Sequence, residues 1–194
     1  MQIAQNLLGK FLVRRLETGQ LLVGRIVETE AYVGRCDKAC HAYGYRKTER
    51  TATLFAPPGT AYIYLIYGMY HCLNFVTEPE GEPAAVLLRA VEPVSGLETM
   101  QRLRYGEQEL TPYRRKNFLN GPGKVCKAFD LTRRQNGLDL TGDTLFLCDS
   151  PTDVGLPCPS LPREHMRKGS RIGIDYAEEA REFPWRFWLE KEDA

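Results

Sequence analysis

Two hydrophobic periods share the chain. Residues 10–16 and 20–33 alternate apolar with polar positions around Thr18-Gly19, which predicts two strands joined as a hairpin. In the second strand a strict period of two puts Ile26, Glu28, Glu30 and Tyr32 on one face. Val27, Thr29, Ala31 and Val33 then share the other. Residues 34–60 are rich in Gly, Pro and charge and predict a long excursion, the kind of loop that usually carries function or motion. Residues 61–67 and 72–76 predict a second hairpin, and the apolar run 84–90 a buried strand. A three- to four-residue period follows. Ser95-Gly-Leu-Glu98 has the spacing of a capping box, opening a helix with Leu97, Met100 and Leu103 on one stripe. Pro122 suits the first turn of a shorter helix whose Val125 and Phe129 face inward. Four prolines in 149–163 predict a surface connection, and 171–174 and 185–189 read as closing strands. Together these elements predict one α+β domain over residues 1–194, with a largely antiparallel, curved sheet, a protruding hairpin and flanking helices.

Composition narrows the classes. The 194 residues are 43% hydrophobic and 26% charged, an ordinary globular mixture. With 26 Lys and Arg against 25 Asp and Glu the net charge is +1, which argues against a nucleic-acid coat or a polybasic membrane tether. No apolar run approaches the ~20 residues of a membrane span, and no signal-peptide pattern is visible at Met1 to Lys10, so a cytoplasmic protein is expected. The six cysteines, Cys36, Cys40, Cys72, Cys126, Cys148 and Cys158, then read as free thiols. Cys36-x3-Cys40-His41 is half a zinc site without a second pair to complete it, so no metal is expected.

The average charge hides a segregation. Residues 101–135 hold nine basic and three acidic side chains, a net +6, whereas 175–194 hold seven acidic and three basic, a net −4. Such a segment is either a solvated surface or a face that follows phosphates. Asn120-Gly-Pro-Gly-Lys124 favours phosphates: Gly121 and Gly123 at a helix start can present N–H groups, and Lys124 adds a charge. The spacing is not that of a nucleotide-triphosphate loop.

Three further features point to chemistry. Glu28 and Glu30 are two apart on one strand face, about 7 Å along the chain, within reach of one site. An exposed, mildly self-repelling strand face would look the same. Tyr67-Gly-Met-Tyr70 is a hairpin tip of apolar residues where Asn, Asp, Gly or Ser are usual. An apolar tip needs a partner, and wedges pushed between stacked bases are one use. Tyr32, His41 and Tyr64 supply three flat rings that could sandwich a planar ligand.

These residues carry a family resemblance. Ile26-Val-Glu-Thr-Glu-Ala-Tyr32, Ala39-Cys-His41, Pro58-Gly-Thr-Ala-Tyr-Ile-Tyr-Leu-Ile-Tyr-Gly-Met-Tyr70, Leu87-Leu-Arg-Ala-Val-Glu-Pro93 and Gly121-Pro-Gly-Lys124 resemble the alkyladenine (3-methyladenine) DNA glycosylases. The likeness runs from about Leu7 to Leu189, in the compact form of bacterial members. It implies base-excision repair: an alkylated purine flipped from duplex DNA and its N-glycosidic bond hydrolysed, leaving an abasic site without strand cleavage. By that resemblance Glu30 is the general base for water, and Arg89 helps hold the water and the flipped nucleotide's phosphate. Tyr32, His41 and Tyr64 hold the extruded base, Ile172 meets water and base through its main chain, and Asn74 crowds the 2-amino group of guanine. Tyr67 intercalates, while Lys124, Gly121 and Gly123 meet DNA phosphate. No cofactor is implied, and a monomer associated with the nucleoid is expected. Two departures are the loop 77–83, longer than the family pattern, and Val125 where Leu is usual.

Two rivals make different demands. A metal-dependent hydrolase would use His41, Glu28 and Cys40 and lose activity to a chelator. A non-catalytic binder of distorted duplex would release no base at all.

Overall fold

The computed structural model describes residues 1–192. The chain runs α1 (Gln2–Asn6), β1 (Phe11–Arg15), β2 (Leu21–Val33), β3 (Ala61–Ile66), β4 (Tyr70–Val76), β5 (Ala84–Ser95), α2 (Leu97–Tyr105), α3 (Pro112–Lys116), α4 (Pro122–Ala128), β6 (Leu145–Cys148), β7 (Glu164–Gly169) and β8 (Arg186–Lys191). All strand pairs are antiparallel, in the order β3-β4-β5-β2-β1-β6, with β8 pairing both β2 and β7. This is the α+β arrangement that the alternating periods predict. β2 is long enough to serve three neighbours: β5 along most of its length, β1 through 21–25 and β8 through 28–30. The sheet therefore forks at the middle of β2.

A double irregularity marks the fork. Ile26 pairs with Val91 and Glu28 with Ala90, so Val27 has no partner; Thr29 then pairs with Leu88, so Arg89 has none either. An extra residue on a strand flips the side chains beyond it to the opposite face. Ile26 and Ala31 consequently pack into the same core cluster, although five residues apart, and Thr29 donates to the Ala4 carbonyl of α1 on that side. The sharing of one face by Ile26 with Glu28, Glu30 and Tyr32, expected from a strict period of two, is therefore overturned. Past the bulge, Glu30 and Tyr32 face away from the core.

That core fills one face of the sheet. Leu12, Leu22, Ile63, Leu73, Phe75, Val86, Leu88 and Val91 meet Met100 of α2 and Val125, Cys126 and Phe129 in and just after α4. The opposite face is covered by the excursion after β2, whose Cys40, Ala42, Leu54 and Phe55 pack on Tyr62, Val76 and Ala85. Alternation along β3, β4 and β5 thus divides the sheet. Ala61, Ile63, Leu73, Phe75, Val86 and Leu88 go to the helices, and Tyr62, Tyr64, Cys72, Asn74, Ala85, Leu87 and Arg89 to a cavity on the far side.

Other local expectations are corrected. Residues 171–174 form a turn, not a strand, because the Arg171 side chain is drawn into the interior by Asp37. Ser95 ends β5 rather than capping α2; the cap position is Gly96, at φ 83°, with no side-chain hydrogen bond. Leu97 is 39% exposed, so the inward stripe of α2 rests on Met100 and the half-buried Leu103. Reciprocal capping boxes occur instead at Thr132–Gln135 and Ser150–Asp153. β6, β7, α1 and α3 are short elements without a clear period in the chain. Among the described residues no helix is long and apolar enough to cross a membrane, and all six cysteines are free.

Candidate active site

The cavity holds about 750 Å³, within the usual size of a small-ligand site. Its floor includes Tyr32, Arg89 and Ile172, and directly behind them lies Glu30, whose side chain is fully buried. Oε2 accepts from the Tyr32 hydroxyl at 2.7 Å, Oε1 accepts from the Ile172 N–H at 2.9 Å, and the Arg89 Nε lies 3.4 Å from Oε1. Burial raises the Glu30 pKa above the ordinary carboxylate value, opposed by Arg89, the Tyr32 hydroxyl and the Ile172 amide. Burial and the adjacent carboxylate also hold the Tyr32 phenol well above its usual pKa, so it stays a donor.

Arg171 organises this floor from behind. Its guanidinium makes two hydrogen bonds to Asp37, at 2.5 and 2.7 Å, and donates to the carbonyls of Ala31 and Ala180. Asp37 and Arg171 have no exposed side-chain surface, and Asp37 also accepts from the main chain of Val33 and Ala39. The pair therefore nails the turn 170–174 onto the end of β2, placing the next amide, that of Ile172, on Glu30. The Ile172 N–H is thereby spent on the carboxylate; its carbonyl is the main-chain group left for a ligand or water.

The walls are aromatic. His41 lies 4.6 Å from Tyr64, ring centre to ring centre, at 73°, and Tyr62 and Tyr64 are 5.3 Å apart. The His41 Nδ1 is 3.1 Å from the Tyr62 hydroxyl. Burial, with the nearby Arg50, pushes the imidazole down to about 4, so His41 is neutral at pH 7. Asn74 donates its amide nitrogen to the carbonyls of Tyr62 and Cys72, and its Oδ1 has no protein donor among the described residues.

The mouth lies between the β3–β4 tip and the start of α4. Tyr67 and Gly68 both take positive φ, 53° and 68°, and Met69 N–H donates to the Ile66 carbonyl, closing a tight turn. Left-handed backbone is uncommon for a bulky side chain and carries a steric cost. Tyr67 is 78% exposed. Beside the tip, a Cβ on Gly123 would fall 2.9 Å from the Tyr70 ring, so this glycine is set by packing of α4 against the hairpin. Lys124 donates to the Asn120 side chain at 2.7 Å, and burial and Arg104 hold its pKa below the usual value. Gly121, Gly123, Lys124 and Arg104 all line the mouth.

The residues singled out from the chain therefore converge: Tyr32, His41, Tyr64, Tyr67, Asn74, Arg89, Gly121, Gly123, Lys124 and Ile172 line one cavity, and Glu30 lies behind it against Tyr32, Arg89 and Ile172. Tyr62, Arg104, Arg171 and Tyr176 join the site without a signal of their own in the sequence reading. Tyr62 could have been found, since it sits two residues before Tyr64 on the same strand face. Arg171 could not, because its partner Asp37 is 134 positions away. Among the described residues no three His, Cys, Asp or Glu side chains gather as a metal site.

Comparison with known proteins bears on this geometry. A model of the methylpurine-DNA glycosylase (MPG) family matches residues 1–193. The chain belongs to that family. It is a DNA glycosylase, and the family resemblance drawn from its motifs holds over its length. Relatives named "Putative 3-methyladenine DNA glycosylase" include one from Bacillus cytotoxicus, 48% identical over 98% of this chain and 91% of its own. Others come from Clostridium perfringens strain SM101, 46% identical over 97% of this chain and 90% of its own, and Alkaliphilus oremlandii, 47% identical over 97% and 90%. As a glycosylase of this family the protein has DNA for its substrate.

Proposed function

We propose that this glycosylase flips an alkylated purine out of duplex DNA into the aromatic cavity and hydrolyses its N-glycosidic bond, leaving an abasic site. The observation that carries this reading is the buried Glu30, which accepts hydrogen bonds from Tyr32 and Ile172 and faces Arg89 at 3.4 Å, directly behind a cavity walled by Tyr32, His41 and Tyr64. Glu30 takes a proton from water as the water oxygen bonds to C1′ and the C1′–N bond breaks. Its negative charge also stabilises the oxocarbenium character of the sugar. Arg89 and the Ile172 carbonyl hold water and nucleotide in place.

The leaving group sets selectivity. A purine alkylated at N3 or N7 carries positive charge and departs as a neutral base, needing no acid, and a cationic ring is favoured against aromatic faces. A neutral lesion such as hypoxanthine must be protonated, and neutral His41 is poorly placed to do so at pH 7. Cationic 3-methyladenine and 7-methylguanine are thus the better substrates. The Asn74 amide crowds the 2-amino group of unmodified guanine.

Tyr67 fills the space vacated in the base stack, and Lys124 with Arg104 at the mouth meets backbone phosphates. One copy of the chain carries this whole site, and the enzyme acts as a monomer. Incubating the protein with methylated duplex DNA and assaying free 3-methyladenine tests the reading. Wild-type protein releases base in the presence of EDTA, whereas Glu30→Gln releases almost none and still binds an abasic-site analogue. Wild-type protein that frees no base overturns it.

A further inference from the structure

Glu28 is the acidic residue that this chemistry leaves unused. It precedes Glu30 by two positions, but its surroundings differ. Its Oε1 accepts from the Arg89 Nε at 3.0 Å and from the Arg186 Nη1 at 3.2 Å. A carboxylate shared by two guanidiniums is committed as an acceptor and is poorly suited to take a proton from water.

Arg89 needs such an anchor. It is the bulged residue of β5, without a register partner, so the strand ladder alone does not aim its side chain. It approaches Glu28 and Glu30 through the same nitrogen, Nε, at 3.0 and 3.4 Å. Among the described residues neither of its terminal nitrogens has a protein acceptor, and the residue lines the cavity. Arg186, on β8, pairs with Glu30 in register and reaches Glu28 from the other edge of β2. β5, β2 and β8 thus meet at one carboxylate.

We propose that Glu28, backed by Arg186, is a positioning residue that grips Arg89 by its Nε and leaves both terminal nitrogens free to meet oxygen atoms of the extruded nucleotide. This rests on the proposed role of Arg89 at the substrate. Glu28 touches no reacting atom. It acts by holding a flexible guanidinium in one orientation before substrate arrives.

The test is a double-mutant cycle on single-turnover release of 3-methyladenine from methylated duplex, using wild type, Glu28→Gln, Arg89→Gln and the double variant. Glu28→Gln slows release by roughly 10- to 100-fold, the scale of a misplaced catalytic group. Arg89→Gln slows it at least as much, and the double variant is no slower than Arg89→Gln alone. Multiplying losses overturn the proposal, as does a Glu28→Gln enzyme as inactive as Glu30→Gln beside an active Arg89→Gln. Hydrogen exchange of the Arg89 Nε–H by NMR reads the grip without activity: protected in wild type, exposed in Glu28→Gln. Unchanged protection also overturns it. Arg186→Gln loosens the same grip less and keeps the test open if Glu28→Gln does not fold. If wild type frees no base, the proposed function fails, while the exchange measurement still decides whether Glu28 holds Arg89.

Discussion

The Arg171 guanidinium lies over the Tyr32 ring, 4.6 Å from its centre, on the pair of elements that present the donors to Glu30. Tyr32 supplies the hydroxyl and the residue after Arg171 supplies the amide. Asp37 balances the arginine's charge, and burial opposes that charge while Asp37 raises the net pKa of Arg171. Asp37→Leu leaves a buried, unpaired cation and costs about 3–5 kcal/mol of stability. Denaturant unfolding measures it, and a loss below about 1 kcal/mol, the scale of an exposed pair, contradicts a buried anchor.

Glu30 gives opposite signs for stability and activity. Its folded pKa is raised, so its favourable contribution is present when protonated and is lost as pH rises through that pKa. Glu30→Gln, which mimics the protonated acid, melts above wild type at pH 7, and the gap closes as pH falls. Activity requires the carboxylate, so the acid limb of the pH–rate profile lies above the ordinary Glu value. Thermal melts and single-turnover rates across pH check both, and an acid limb at or below the ordinary value contradicts the burial argument.

His41 titrates far from the ordinary imidazole. With its pKa depressed to about 4 by burial and Arg50, it stays neutral as the unfolded chain protonates. Its contribution to stability is therefore full above the ordinary value of 6.5 and falls away as pH drops towards 4. NMR titration of the His41 ring protons is expected to show a midpoint near 4, with no inflection at 6.5.

Tyr67 is 78% exposed on a strained backbone, so its side chain contributes little to the fold. Tyr67→Ala leaves the melting temperature nearly unchanged and slows excision from duplex by roughly tenfold or more, the cost of leaving the stack unfilled. Equal duplex turnover for variant and wild type removes the wedge.

Lys124 and Arg104 at the mouth predict salt-sensitive binding. Each phosphate contact contributes about 0.9 to the slope of log affinity against log salt, so Lys124→Gln lowers the slope magnitude by about one. Binding isotherms on lesion-containing duplex at several salt concentrations measure this, and an unchanged slope places Lys124 off the backbone.

The main strands and the aromatic faces were legible because a sheet with one face on the core writes its period into the chain. Tyr62 and Tyr64 beside Ile63 on β3, and Leu87 and Arg89 beside Leu88 on β5, are such records. The odd tip, Tyr67-Gly-Met-Tyr70, was legible for the same reason: its apolar residues break the rule for turns. Of the two acids, only family likeness singled out Glu30, since spacing treats Glu28 alike.

The chain by itself determined which segments pair locally and which residue types are available to one face. Tertiary structure decided the phase and the environment. The unpaired Val27 and Arg89 turn Glu30 and Tyr32 away from the core on which Ile26 packs, a shift that no local period records. Glu30 is buried between Ile172 and Arg89, whereas Glu28 lies between Arg89 and Arg186, and those partners arrive from segments 59 to 158 positions away. Local sequence encodes backbone preference and solvent-facing pattern. The field around a carboxylate depends on which distant strands the whole core brings against it.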